Sequence, residues 1–182
     1  GEALEGLDFA GEMTSNLIIV VNDNDMSIAE NHGGIYKNLK KLRDTDGKAE
    51  CNLFKAMGLE YVFVKDGNDI KSLISVFKNV KDTDKPVAVH IVTQKGKGYA
   101  LAEKDKESWH WCMPFDIETG KSLVNSDGED YGALTAEYLL DKMKKDRTVC
   151  AITSATPAVF GFTADKRKEA GSQFIDVGIA EE

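Results

Sequence analysis

The sequence predicts an α/β fold, a mainly parallel sheet with helices on both faces, followed by the truncated start of a second α/β domain. Two patterns carry that expectation. Five short segments rich in β-branched residues are apolar almost without a break, as strands covered on both faces must be. Between them lie segments whose apolar residues recur at helical spacing.

The elements follow in chain order. Leu4, Leu7, Phe9, Ala10 and Met13 approximate one face of an opening helix. Residues 17–22 (LIIVVN) form the first strand. Residues 51–57 suit a short helix stopped by Gly58, and 61–64 (YVFV) a second strand. Asp66-Gly67-Asn68 makes a turn before a helix at 69–80, with Ile70, Leu73, Ile74 and Phe77 facing inward. Residues 87–93 (VAVHIVT) form the third strand. A polar, turn-rich stretch at 116–130 (DIETGKSLVNSDGED) reads as a linker, dividing a domain over 1–115 from a second begun at 131–182. That second part offers a helix over Tyr131–Lys145, with Leu134, Tyr138, Leu139 and Met143 inward. Strands at 148–153 and 174–177 complete it. An opening inside a helix and an ending in Asp-Val-Gly-Ile-Ala-Glu-Glu lead us to expect a piece of a longer protein.

Composition narrows the function. Twenty-three Lys and Arg against 31 Asp and Glu give a net charge of −8, which disfavours duplex nucleic acid and polybasic membrane contacts. The longest apolar run, 17–21, is far short of the ~20 residues a membrane span requires, and no signal-peptide pattern opens the chain. Cys51, Cys112 and Cys150 lack any Cys-x-x-Cys spacing and read as free thiols of a reducing, cytoplasmic setting.

Three constellations could carry chemistry. Asn22-Asp23-Asn24-Asp25-Met26-Ser27-Ile28 directly follows the first strand, and ligands of open α/β sheets bind beyond the carboxyl ends of strands. Its amide and carboxylate oxygens suit a hard cation such as Mg2+, to which Met26 could offer only its backbone carbonyl. The same residues also suit a polar turn. Gln94-Lys95-Gly96-Lys97-Gly98-Tyr99 follows the third strand, with glycines for close backbone approach and lysines for a diphosphate; a solvated basic turn has the same composition. Trp109-His110-Trp111 holds a histidine between aromatic rings, suited to proton transfer or to an interface. His90, inside an apolar strand, reads as a buried structural histidine, and the role of His32 stays open.

Five blocks then resemble one family in its own order: 22–34 (NDNDMSIAENHGG), 58–67 (GLEYVFVKDG), 89–105 (VHIVTQKGKGYALAEKD), 110–116 (HWCMPFD) and 176–181 (DVGIAE). They are similar to 1-deoxy-D-xylulose-5-phosphate synthases, thiamine-diphosphate enzymes of the transketolase superfamily. The resemblance implies a pyrophosphate-binding domain, the 116–130 linker, and the start of a pyrimidine-binding domain. It implies that Asn24 gives a side-chain oxygen and Met26 a backbone oxygen to Mg2+, with Ser27 and Ile28 beside the cofactor. Lys95 would lie near the diphosphate and Tyr99 against the cofactor. His110 would handle protons in the active-site pocket, Ile179 would prop the bent cofactor, and Glu181 would bond N1′ of its aminopyrimidine.

The reaction so implied joins pyruvate to glyceraldehyde 3-phosphate with loss of CO2, a step towards isoprenoid and thiamine precursors, in a homodimer without nucleic-acid or membrane partners. The family's Gly-Asp-Gly motif, source of a further Mg2+ ligand, is expected ahead of Gly1, and the segment 35–50 is shorter than the family's. By itself the chain is expected to be inactive. A transketolase or a 2-oxo-acid dehydrogenase component would share the cofactor; a non-catalytic α/β binding module would share only the fold.

Overall fold

The computed structural model describes residues 2–124 and 128–179, which group into two compact units. One comprises residues up to 25 together with 33–97; the other takes 26–32 and the residues from 98 onward. The change of unit at 97/98 lies ahead of the 116–130 stretch.

The first unit is built on three parallel strands, β1 (Ile18–Asp23), β2 (Glu60–Val64) and β3 (Val87–Val92), in the order β1-β3-β2. Strands so joined need crossovers, which are helical here. Helices α2 (Gly34–Asp44) and α3 (Leu53–Ala56) connect β1 to β2, and α4 (Ile70–Val80) connects β2 to β3. The opening helix, α1, spans Glu2–Glu12. Alternation along the strands sends side chains to two separate cores. On one face Ile19, Val21, Tyr61 and Ala88 pack with Leu7, Ala10, Leu39, Leu42 and Phe54 from the helices. On the other, Ile18, Val62, Val64, Val87, Val89 and Ile91 pack with Leu73, Val76, Phe77 and Val80 of α4. The doubly covered parallel sheet expected from the strand composition is therefore present.

Two helix faces differ from expectation. In α4 the buried stripe is Leu73, Val76, Phe77 and Val80, while Ile70 and Ile74 are exposed. Both stripes obey helical spacing, and packing on the sheet selects the one nearer the carboxyl end. Asp69 caps this helix through Ser72 N–H at 2.8 Å. The long helix of the second unit, α6 (Tyr131–Lys145), turns Ala136, Leu139, Leu140 and Met143 inward and leaves Leu134 and Tyr138 exposed. A small alanine at 136 permits close packing that a larger residue would block.

In that unit α5 (Ala100–Lys104) precedes an irregular stretch, and β4 (Ala151–Thr153) pairs in parallel with β5 (Phe174–Asp176). Helix α7 (Ala164–Ala170) links the two strands, and Phe162 packs on Phe174 with ring centroids 4.8 Å apart. β4 starts three residues later than the sequence pattern suggests. Asp146 Oδ1 accepts from the Thr148 amide at 2.8 Å and hydroxyl at 2.6 Å, so a turn claims the residues ahead of Ala151.

Candidate functional site

All three strands of the first unit run the same way, so the segments after Asp23, Val64 and Val92 emerge at one end of its sheet. Short bonds tie those segments together. Thr93 donates from its amide to the Asp23 carbonyl at 2.9 Å and from its hydroxyl to Asn22 Oδ1 at 2.7 Å. The Gly67 amide donates to the Val92 carbonyl at 2.8 Å, and the Gln94 amide to Asn68 Oδ1 at the same distance. Residue 67 must be glycine for this closure, because a Cβ there would lie 2.7 Å from the Val92 oxygen. Asn24 and Lys95, two of the residues expected at the cofactor, stand on this edge, in the segments that follow β1 and β3. Lys95 sits in a turn closed by the Lys97 amide on the Gln94 carbonyl, followed by positive φ at Gly96 and Gly98.

Beneath the edge lies a buried polar relay. Asp23, the last residue of β1, is almost wholly enclosed. Its Oδ2 accepts from His90 Nε2 at 2.8 Å and from Arg43 Nη1 at 2.6 Å; its Oδ1 accepts from Arg43 Nη1 at 2.7 Å and from the Asp25 amide at 3.1 Å. The second guanidinium nitrogen of Arg43 pairs with the Asp25 carboxylate. On its other side His90 meets the Tyr61 hydroxyl at 2.7 Å through Nδ1. A carboxylate only accepts, so the ring is assigned the Nε2–H tautomer with Nδ1 accepting from Tyr61. Burial alone would push the Asp23 carboxyl up, but bonds from His90 and Arg43, the guanidinium charge and the Asp25 amide bring it down to about 2. Burial, helped by the Asp23 charge, pushes the Tyr61 hydroxyl well above its ordinary range.

Both carboxylates of the Asn/Asp run are engaged by Arg43. Among the described residues no group of three or more His, Cys, Asp or Glu is arranged to hold a metal. Asn24 and Met26, the residues expected as ligands, carry neutral amide and carbonyl oxygens of the kind that suits a hard cation. Two oxygens do not fill a six-coordinate shell, so this donor set fits an ion that arrives with phosphate oxygens and water.

The remaining expected residues fall in the second unit. Met26 bridges to Glu30, and the Ser27 amide and hydroxyl both reach the Ala29 carbonyl, at 3.0 and 3.3 Å, so Ile28 lies within a tight turn. Tyr99 belongs to an aromatic cluster, edge-on to Trp109 at 5.0 Å and tilted against Phe115 at 5.8 Å, with its hydroxyl on the Ile117 carbonyl at 3.0 Å. His110 follows Trp109 with its side chain exposed and its amide on the Glu107 carbonyl. Glu107 in turn holds Arg167 by two bonds, at 3.0 and 2.9 Å. Ile179 is exposed beyond Gly178, whose amide donates to Asp176 Oδ1 at 2.9 Å. His32 lines a cavity of about 200 Å³ with Ala29, Glu30, Arg167, Phe174 and Asp176. Glu181 lies outside the described residues.

The sequence matches the family model for 1-deoxy-D-xylulose-5-phosphate synthase over residues 1–51 and 46–93, about half of the chain. The chain belongs to that family. Along its whole length it is 38% identical to the 1-deoxy-D-xylulose-5-phosphate synthase of Listeria monocytogenes, 35% to that of Lachnoclostridium phytofermentans and 36% to that of Clostridium perfringens. It covers 31%, 35% and 35% of those proteins, so it spans about a third of the length of these synthases. The two matched blocks overlap at 46–51, at the far end of the segment 35–50 that was expected to be shorter than in 1-deoxy-D-xylulose-5-phosphate synthases. Its alignments run to 191 positions with the Listeria synthase and to 218 with the Lachnoclostridium and Clostridium synthases, against 182 residues here.

Sequence reasoning missed Arg43 and the joint role of Asp23, Tyr61 and His90. Its one available signal was a histidine inside an otherwise apolar strand, because a buried imidazole requires partners.

Proposed function

We propose that the whole protein is a thiamine-diphosphate- and Mg2+-dependent transferase that joins pyruvate to glyceraldehyde 3-phosphate with loss of CO2, as a homodimer in the cytoplasm. The observation that carries this reading is the family match, which takes in Asn24 and the carboxyl end of β3 just ahead of Lys95. That no described helix is long and apolar enough to cross a membrane accords with it. The domain division at 116–130 belongs to the same proposal: pyrophosphate binding before it, pyrimidine binding after it. Isoprenoid and thiamine precursor synthesis would then consume the product.

In this reading the Asn24 amide oxygen and the Met26 carbonyl hold Mg2+, Ser27 and Ile28 line the cofactor, and Lys95 offsets diphosphate charge. Tyr99 and Ile179 pack against the cofactor. Glu181 holds a proton at N1′, and His110 moves one at the substrate. When bound, thiamine diphosphate supplies the electron sink for decarboxylation and carbon–carbon bond formation.

The test uses the full-length protein. Purified free of metal, it should release CO2 from pyruvate in the presence of glyceraldehyde 3-phosphate only when thiamine diphosphate and Mg2+ are both added. Asn24→Leu should weaken Mg2+-dependent cofactor binding at least ~10-fold. Unchanged affinity by calorimetry would remove Asn24 from the site.

A further inference from the structure

Asn24 has neighbours that are held by one guanidinium. Arg43 grips the Asp23 carboxylate with one nitrogen and the Asp25 carboxylate with the other, so the residues immediately before and after Asn24 are fixed from a single point on α2. Asp25 adopts a φ of 63°, in the left-handed region, and its amide folds back on Asp23 Oδ1. Behind Asp23, His90 and Tyr61 extend the chain of bonds through β3 and β2, the tyrosine ring being stacked on Phe54 at 5.8 Å. Arg43 and Asp23 are both shielded from water, so their contact is little screened, whereas the Asp25 carboxylate that Arg43 also holds is largely exposed.

We propose that Arg43, Asp23, His90 and Tyr61 are positioning residues for a divalent cation and the diphosphate that accompanies it, acting through Asn24. This rests on the function proposed above, in which Asn24 ligates the cation. The carboxylates that sequence composition offers to the cation are instead used to set the backbone from which a neutral amide is presented. A loop held in one conformation before the ligand arrives loses less freedom when it binds. Arg43 is central because its fork reaches both flanking residues; a lysine would keep the charge but reach only one.

The experiment uses the full-length protein without metal or cofactor and compares the wild type with Arg43→Lys and Tyr61→Phe. Calorimetry with Mg2+ and thiamine diphosphate should show binding weakened ~10- to 100-fold in Arg43→Lys, as is usual when a residue supporting a metal ligand is lost. In Tyr61→Phe, which keeps the ring stack and loses only the distal bond, a smaller loss of roughly 3- to 10-fold is expected. Steady-state rates should place the loss in the cofactor concentration needed for half-maximal rate rather than in the saturated rate. Hydrogen exchange on the ligand-free protein should quicken at the Asp25 amide in both variants. A role confined to fold stability would lower thermal midpoints yet leave affinity unchanged wherever the variants remain folded, and that result overturns the proposal. If Arg43→Lys does not fold, Tyr61→Phe decides alone, and unchanged affinity there overturns it equally. Wild-type protein that binds no thiamine diphosphate with Mg2+ would refute the proposed function, and this inference with it.

Discussion

Replacing Gly161 by alanine separates two costs that glycine avoids at one position. Gly161 follows a 3₁₀ turn over Pro157–Phe160 with φ 73° and ψ 7°, in the left-handed region. A Cβ added there would stand 2.3 Å from the Gly132 oxygen and 2.5 Å from its carbonyl carbon, in the first turn of α6. Both are backbone atoms, so no side chain can rotate aside. The left-handed conformation costs alanine about 1 kcal/mol or somewhat more. Overpacking adds ~1–3 kcal/mol, and the lower entropy of an unfolded alanine offsets ~0.4–1 kcal/mol. A net loss of about 2–3 kcal/mol follows. Gly178 is the control: it has the same φ of 73°, yet its added Cβ would approach nothing closer than 3.8 Å. Gly178→Ala should therefore cost less than about 1 kcal/mol. Urea unfolding followed by the fluorescence of Trp109 and Trp111 reports on the unit that contains both glycines. Equal losses in the two variants would refute the steric part of the argument.

Leu42, fully buried between α2 and the sheet, should lose about 3 kcal/mol on truncation to alanine, read as a lower urea midpoint at unchanged slope. In the metal-free protein Asp23 should also make the first unit acid-sensitive. Its carboxyl lies at about 2 when folded against an ordinary 3.8, so its contribution of about 2 kcal/mol is complete above ~pH 4 and is lost as pH falls towards 2. Urea unfolding from pH 5 to 2.5, tracked through the Tyr61 ring resonances, should show that loss in the wild type and not in Asp23→Asn.

The strands were legible because β-branched runs have few other uses: β1, β2 and β3 lie within one residue of their expected ends. Helix faces were less legible, since Ile70 and Ile74 satisfy the same spacing as Val76 and Val80, and only the position of the sheet decides between them. Helices α2, α5 and α7 escaped notice because they are short or largely charged, and packing rather than a wide apolar stripe holds them. Asn24 and Lys95 could be placed at strand ends from sequence because those ends are fixed by the strands themselves. The use of Asp23 and Asp25 could not, because their partner Arg43 lies 20 and 18 residues away.

The histidine in β3 has a consequence for how the sheet chooses its partners. From Val87 to Ile91 every residue of this strand is buried, so apolar packing alone would tolerate a slide of two residues along either neighbour. Such a slide moves the strand by roughly 6.6 Å, preserves which face each side chain occupies, and changes little in hydrophobic content. His90, however, lies level with Val21 and Phe63, two residues behind Asp23 on one side and two ahead of Tyr61 on the other. A slide in either direction takes it farther from one of its two partners and strands a polar group in the interior. One imidazole, bonded diagonally to each adjacent strand, thus makes a single alignment of three interchangeable-looking apolar ribbons preferable to its near copies, and the strand ends bearing Asn24 and Lys95 come level with one another because of it.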